Sequence, residues 1–141
     1  MRNPNEVAIF VHREDRFLIL RRVHERRVWH VVAGVVEPGE SFPTAAAREL
    51  VEEAGLVAPL VDLGAPQRYK PDADYRPLYA QDVTHVLIHT FSVEAPPDWE
   101  PRLNEEHDIY RWCTVAEAVA LLHWPEAKNA LRELAARLGI G

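Results

Sequence analysis

The sequence predicts an α/β fold, a sheet covered by helices, on three observations. Apolar runs of strand length occupy residues 7–11, 17–20 and 84–93. Good helix formers fill residues 44–54 between a capping serine and a glycine stop. Two further helical segments follow residue 114. A chain of 141 residues is long enough to bury a substantial core, so residues 1–141 are expected to form one domain.

Residues 7–11 read as a buried strand, 13–16 as its turn and 17–20 as the returning antiparallel strand. Residues 21–27 read as a charged loop before a third short strand at 28–32, and 34–39 as an irregular loop punctuated by Pro38 and Gly39. Ser41 is placed to cap a helix, Pro43 is tolerated in its first turn, and Gly55 ends it. Residues 57–63 look extended, and 69–82 form a polar loop rich in Pro, Asp and Tyr. The strand at 84–93 is broken by Pro96 and Pro97, and 109–112 supply one more. Thr114 and Glu117 have the spacing of a capping box for a short helix reaching Leu122. A last helix runs from Pro125 to Leu138 and stops at Gly139.

Composition narrows the function classes. A net charge of −6 argues against stable nucleic-acid binding, whose usual footprint is basic. Cys113 is the only cysteine, which excludes an intrachain disulfide and a zinc–thiolate cluster and fits a reducing cytoplasm. The apolar run at 7–11 is too short for a signal peptide or a membrane span. The expectation is a soluble cytoplasmic protein, monomeric or homodimeric, with a small-molecule partner.

The informative stretch is 34–56: Gly34, five residues, Glu40, seven residues, then Arg48, Glu49, Leu50, one residue, Glu52, Glu53, one residue, Gly55 and Leu56. Glu49, Glu52 and Glu53 stand at i, i+3 and i+4, which puts their carboxylates on one helix face. Like charges so close destabilise an isolated helix by roughly a few tenths of a kcal/mol per pair. A hard divalent cation reverses that sign, since Mg²⁺ prefers carboxylate, water and phosphate oxygen. The opposite face, with Ala46, Ala47, Leu50 and Ala54, is small enough to lie close against a sheet. Taken alone, three acids on a helix are more often a solvated face, and Arg48 with Glu52 an ordinary i, i+4 pair.

The full spacing decides between these. It resembles the Nudix signature at every specified position, a coincidence of below about one in a million at average residue usage. The resemblance implies an α/β/α sandwich with a mixed sheet and a loop–helix–loop box. It also implies hydrolysis of a diphosphate linkage in a nucleotide-like substrate, with Mg²⁺ or Mn²⁺ as cofactor. By that resemblance Glu49, Glu52 and Glu53 match the metal-binding and base positions, and which of them takes the proton stays open. Gly34 would lend its carbonyl to a metal, Arg48 would orient the glutamates, and Glu40 would support them from behind. Glu106, before His107 in the loop ahead of the last strand, matches a further glutamate that reaches the metals in several subfamilies; the plain alternative is an exposed loop acid.

Substrate identity is less legible. The phrase from Arg27 through Trp29 to Glu40 is similar to bacterial dihydroneopterin triphosphate pyrophosphatases and their deoxynucleotide-cleaving relatives. It also resembles diadenosine polyphosphate hydrolases, which usually carry a lysine where this chain has Val32. A sensing Nudix module without catalysis is the alternative from another class, although the box glutamates are all present. Candidate substrate contacts are Arg22, Arg27, Trp29, Tyr69, Tyr79 and His85. Arg21, Arg26, Tyr75 and Arg76 lie among them, arginine being suited to phosphate oxygens. His85 and His89 would face one side of a strand, where packing or exposure is the simpler role. Trp112 and Trp124 are expected in the core, and Cys113 has no activating neighbour.

Overall fold

A computed structural model describes residues 1–64 and 66–141. The strands are β1 (Asn5–Arg13), β2 (Arg16–Arg22), β3 (Trp29–His30), β4 (Val32–Val35), β5 (Val61–Asp62), β6 (Gln67–Tyr69), β7 (Val86–Glu94) and β8 (His107–Cys113). The helices are α1 (Phe42–Ala54), α2 (Val115–Leu121) and α3 (Pro125–Leu138), with a short 3-10 turn at Arg76–Leu78. Among the described residues, no helix is long and apolar enough to cross a membrane.

The sheet is mixed and turns on β1. That strand runs parallel to β7 in unbroken register from Asn5 opposite Leu87 to His12 opposite Glu94. Its first half pairs antiparallel with β4, from Glu6 opposite Val35 to Ile9 opposite Val32. Only its last residues, His12 and Arg13, pair with β2. Beyond β2 lie β3 and β8, and β5 and β6 cover the other side of β7.

Alternation along β1 builds two cores. Val7, Ile9 and Val11 pack with Ala45, Ala46, Leu50 and Ala54 of α1. Ala8 and Phe10 point the other way, into a layer with Ala118 of α2 and Ala127, Ala130, Leu131 and Leu134 of α3. The result is the expected α/β/α sandwich. Cys113 is fully buried in the second core.

The helix signals hold at atomic level. The Ser41 hydroxyl accepts from the Thr44 N–H at 3.2 Å, and Gly55 closes α1 at φ 71°. The Thr114–Glu117 capping box is present in both directions. Several boundaries move. Arg21 and Arg22 belong to β2 rather than to a loop, because they pair with β8. Gly34 and Val35 likewise belong to β4, held by β1. The strand expected at 28–32 is split between β3 and β4, and of 57–63 only Val61 and Asp62 pair. On α1 it is Ala45, not Ala47, that meets the sheet; Ala47 is exposed. Tyr69 extends a strand out of the polar loop, whereas Thr84 and His85 precede β7.

Candidate active site

The site grows from the contact between α1 and β4. Helical spacing brings Glu49 and Glu53 onto the buried side of α1, at 7% and 3% exposure, and leaves Glu52 exposed. The Glu53 carboxylate accepts the Ala33 N–H at 3.2 Å. The Glu49 carboxylate lies over Gly34, where a Cβ would stand 2.2 Å from its carboxyl carbon. Gly34 is therefore needed for its missing side chain. Burial first, and then the Glu49 carboxyl beside it, push the Glu53 carboxyl far above the usual range; burial also raises Glu49.

Arg48 organises the surrounding acids. Its Nε donates to Glu40 Oε2 at 2.8 Å and its Nη2 to Glu40 Oε1 at 2.9 Å, a two-pronged pair. Nη2 also reaches the Val35 carbonyl at 3.0 Å, tying the helix to β4. Nη1 donates to Glu49 Oε1 at 2.8 Å and to Glu52 Oε2 at 3.2 Å. Glu40 accepts in turn from the Glu37 N–H at 2.8 Å. Glu40 thus touches Arg48 and its own loop and stays out of the cavity, while Glu106 lines it and adds to the negative field on Glu53.

Among the described residues, no three His, Cys, Asp or Glu side chains are already drawn around one metal position. The donor set nevertheless fits a hard divalent cation. Glu49, Glu52, Glu53 and Glu106 offer carboxylate oxygen, Gly34 offers a carbonyl, and no side chain at Gly34 keeps Glu49 from it. Two buried carboxyls forced together are the kind of cost that a cation removes.

These acids open onto a cavity of about 560 Å³. On one wall Glu6 gathers Tyr69 and Tyr79, whose hydroxyls donate to its carboxylate at 3.0 and 3.1 Å, and Arg2, which pairs with it at 3.2 Å. On another, the half-buried Trp124 faces inward, with His30 edge-on at 5.0 Å, the Arg22 guanidinium 4.9 Å from its ring and Asp72 accepting its N–H at 3.3 Å. Arg22 pairs with Glu25 at 3.0 Å, and Tyr75 also donates to Glu25. Burial, then the nearby Arg22 charge, lowers His30 to about 3 and His107 to about 4, so both rings are neutral near pH 7.

Of the residues expected at the substrate, Arg22, Tyr69 and Tyr79 line the cavity; Tyr75 does too. Arg27, Trp29 and His85 do not. Arg27 projects from an exposed loop. Trp29 packs on the second core, and its backbone bridges Leu122. His85 lies ahead of β7 with its Nδ1 3.1 Å from Thr84. Arg21 and Arg26 are committed to Asp108, and Arg76 holds the carbonyls of Ala80 and Gln81. His89 packs against Phe42 at 4.4 Å. Trp124, expected in the core, is a wall residue instead, and no spacing rule marks a helix-capping tryptophan as one. Glu6 and His30 were missed as well. For Glu6 a signal existed: alternation from the buried Ala8 and Phe10 places it on the same face.

The NUDIX domain profile matches residues 2–134. The chain belongs to the Nudix family. It is a hydrolase acting on phosphoric anhydrides, the class to which the profile and the hydrolase-named relatives point. Nudix proteins generally use divalent ions such as Mg²⁺. The asymmetrical bis(5'-nucleosyl)-tetraphosphatase of Sus scrofa is 32% identical over 83% of this chain and 76% of its own length. The dihydroneopterin triphosphate diphosphatase of Escherichia coli is 30% identical over 85% of this chain and 84% of its own. An octanoyltransferase of Myxococcus xanthus is 38% identical over 87% of this Nudix chain, which spans only 33% of that protein's length. The solved structure of the E. coli dihydroneopterin triphosphate pyrophosphohydrolase superposes with a TM-score of 0.88 at 26% identity, covering 96% of this chain and 97% of that one.

Proposed function

We propose that the 141 residues act as one metal-dependent pyrophosphohydrolase domain, cleaving a diphosphate linkage in a nucleoside triphosphate or dihydroneopterin triphosphate by water attack at phosphorus. One observation carries the reading: the paired carboxyls of Glu49 and Glu53 meet the β4 backbone and line a cavity of about 560 Å³, within the range of small-molecule sites. The names of the E. coli relatives support the substrate class.

Glu49, Glu52, Glu53 and Glu106, with the Gly34 carbonyl, would hold Mg²⁺ or Mn²⁺. Such a cation supplies charge neutralisation at the phosphates and lowers the pKa of the attacking water. Arg48 keeps Glu49 and Glu52 oriented, and Glu40 fixes Arg48. The box glutamates accept the proton released as water attacks. Arg22 faces the phosphate chain, and Tyr69 and Tyr79, steadied by Glu6, wall the organic part of the substrate. The chain is taken to work in the cytoplasm, without membrane or nucleic-acid partner.

The test is product analysis with Mg²⁺ on dihydroneopterin triphosphate, the deoxynucleoside triphosphates and diadenosine tetraphosphate, with Glu53→Gln as control. Release of pyrophosphate from one triphosphate, lost in the variant, is the expected result. Preference for the dinucleotide would instead give the chain the activity named for the Sus scrofa relative. No turnover of any compound would leave a sensing module.

A further inference from the structure

The cavity extends well past the box. Strand register sets a row of residues on one face of the sheet: Val35 opposite Glu6, Glu6 opposite Ile88, Ile88 opposite Gln67. Three strand spacings separate the first from the last, about 14 Å in all. The next row brings Ala33, whose N–H meets Glu53, opposite Ala8, and Ala8 opposite Thr90. Between box and Gln67 the floor carries Glu6, held by Arg2, Tyr69 and Tyr79, and beside it the short or apolar Ala8, Phe10 and Ile88. Above it α3 presents Ala127 and Ala130, whose methyl groups leave a gap where larger side chains would close onto the sheet. The cavity is thus a slot that runs from the box acids to Gln67 and Thr90.

Those two residues are polar without partners in the fold. Neither the Gln67 carboxamide nor the Thr90 hydroxyl makes a side-chain hydrogen bond to another described residue, and the hydroxyl stays accessible although Thr90 as a whole is only 9% exposed. Beside them a recess of about 40 Å³, lined also by Leu63, Ala130, Leu134 and the charged Glu133 and Arg137, leaves room for a small exocyclic group. A carboxamide carries one acceptor and one donor side by side. Its complement is a lactam or amidine edge, where a ring carbonyl or imine nitrogen lies next to an N–H.

We propose that this slot is the ring-recognition subsite, in which Gln67 and Thr90 read the lactam or amidine edge of a fused heteroaromatic ring and Ala130 keeps the slot open. The inference rests on the reading of the box as the phosphate end. It assigns specificity to residues on β6, β7 and α3 that contribute nothing to the box. Guanine and pterin share the 2-amino lactam edge, so both satisfy it, whereas a substrate made of phosphates alone does not.

The test is calorimetry on the full chain with Mg²⁺, using α,β-methylene-dGTP as the ring-bearing probe and inorganic triphosphate as the ring-free one. Gln67→Leu keeps the side-chain volume on a half-exposed edge strand and is expected to weaken the ring-bearing probe about tenfold, leaving triphosphate unchanged. Ala130→Leu is expected to weaken it at least as much; a melting curve checks its fold, and Thr90→Val offers a near-isosteric third variant. Equal affinity of the ring-bearing probe for wild type and Gln67→Leu overturns the subsite, as does a loss shared by both probes. Wild-type turnover of the triphosphate panel separates the two readings. Turnover with a Gln67-independent ring overturns the subsite alone, and Gln67-dependent binding without turnover upholds the subsite while the hydrolytic reading falls.

Discussion

The carboxyl group of Glu49 rests against the α-carbon of Gly34, so closely that a methyl group there would stand 2.2 Å from its carbon and from Oε1. The obstructing atoms are the far end of a flexible side chain, so the fold can yield while the carboxylate moves. Gly34→Ala is expected to melt within a few degrees of wild type, as an order of magnitude, yet to lose about a hundredfold in kcat/KM. Full activity in that variant would remove Glu49 from the active geometry.

Arg48 meets Glu40 with two parallel hydrogen bonds and still reaches Glu49, Glu52 and the Val35 carbonyl. A lysine cannot span that fork. Arg48→Lys is expected to cost about ten- to a hundredfold in kcat/KM at saturating Mg²⁺. Steady-state kinetics beside a melting curve would show whether the loss is orientation or unfolding.

Glu53 carries the highest burial among the box acids, and its neighbour Glu49 shares its confinement. Glu53→Gln keeps the shape and removes the charge. We expect an intact fold, turnover reduced by about a hundredfold or more, and a smaller rise in Tm on adding Mg²⁺ than wild type shows. An unchanged Mg²⁺ response would place the cation elsewhere.

His30 is held near a pKa of about 3 by burial and by Arg22, against about 6.5 in the unfolded chain. A lowered folded pKa means stability that is complete above pH 6.5 and drains away as the pH falls toward 3. Wild type should therefore lose Tm between pH 7 and 5, and His30→Phe should lose less over the same interval. Parallel melting curves for the two proteins would contradict this.

The two tryptophans near the cavity should behave oppositely. Trp124→Ala opens a wall of the site and is expected to raise KM about fivefold with little change in kcat. Trp29→Ala removes packing from the second core and should cost about 2 kcal/mol of stability with KM unchanged. Urea titration and kinetics on both variants decide the matter.

The fold was readable wherever a local rule acts on neighbouring residues. Ser41, Gly55, Thr114, Glu117 and Gly139 announce helix ends because capping is settled within a few residues. Glu49 and Glu53 were readable as a pair because helical spacing alone aligns them. Trp124 and His30 were not, because their meeting depends on the junction of α2 and α3 docking on β3, where the His123 N–H donates to the Trp29 carbonyl, and no short-range pattern encodes that. Trp29 stands the other way: family-like phrasing suggests a ligand contact, while the ring packs on the second core and does not line the cavity. Gly34 was expected to contribute a carbonyl; that it is also the space in which Glu49 lies becomes visible only in three dimensions.

The parallel partnership of β1 and β7 shapes how the chain is made. Residues up to Ala54 can gather β1, β2, β4 and α1 into a box with its acids in place, since those contacts are near in sequence. One edge of β1 stays unpaired until Glu94 is available, an apolar ribbon edge exposed to other chains during synthesis. Non-local closure of this kind is slow, and it comes late. The wall bearing Gln67 and Thr90 arrives with the same closing event, so a nascent chain carries its acids before it has anything to read a ring with.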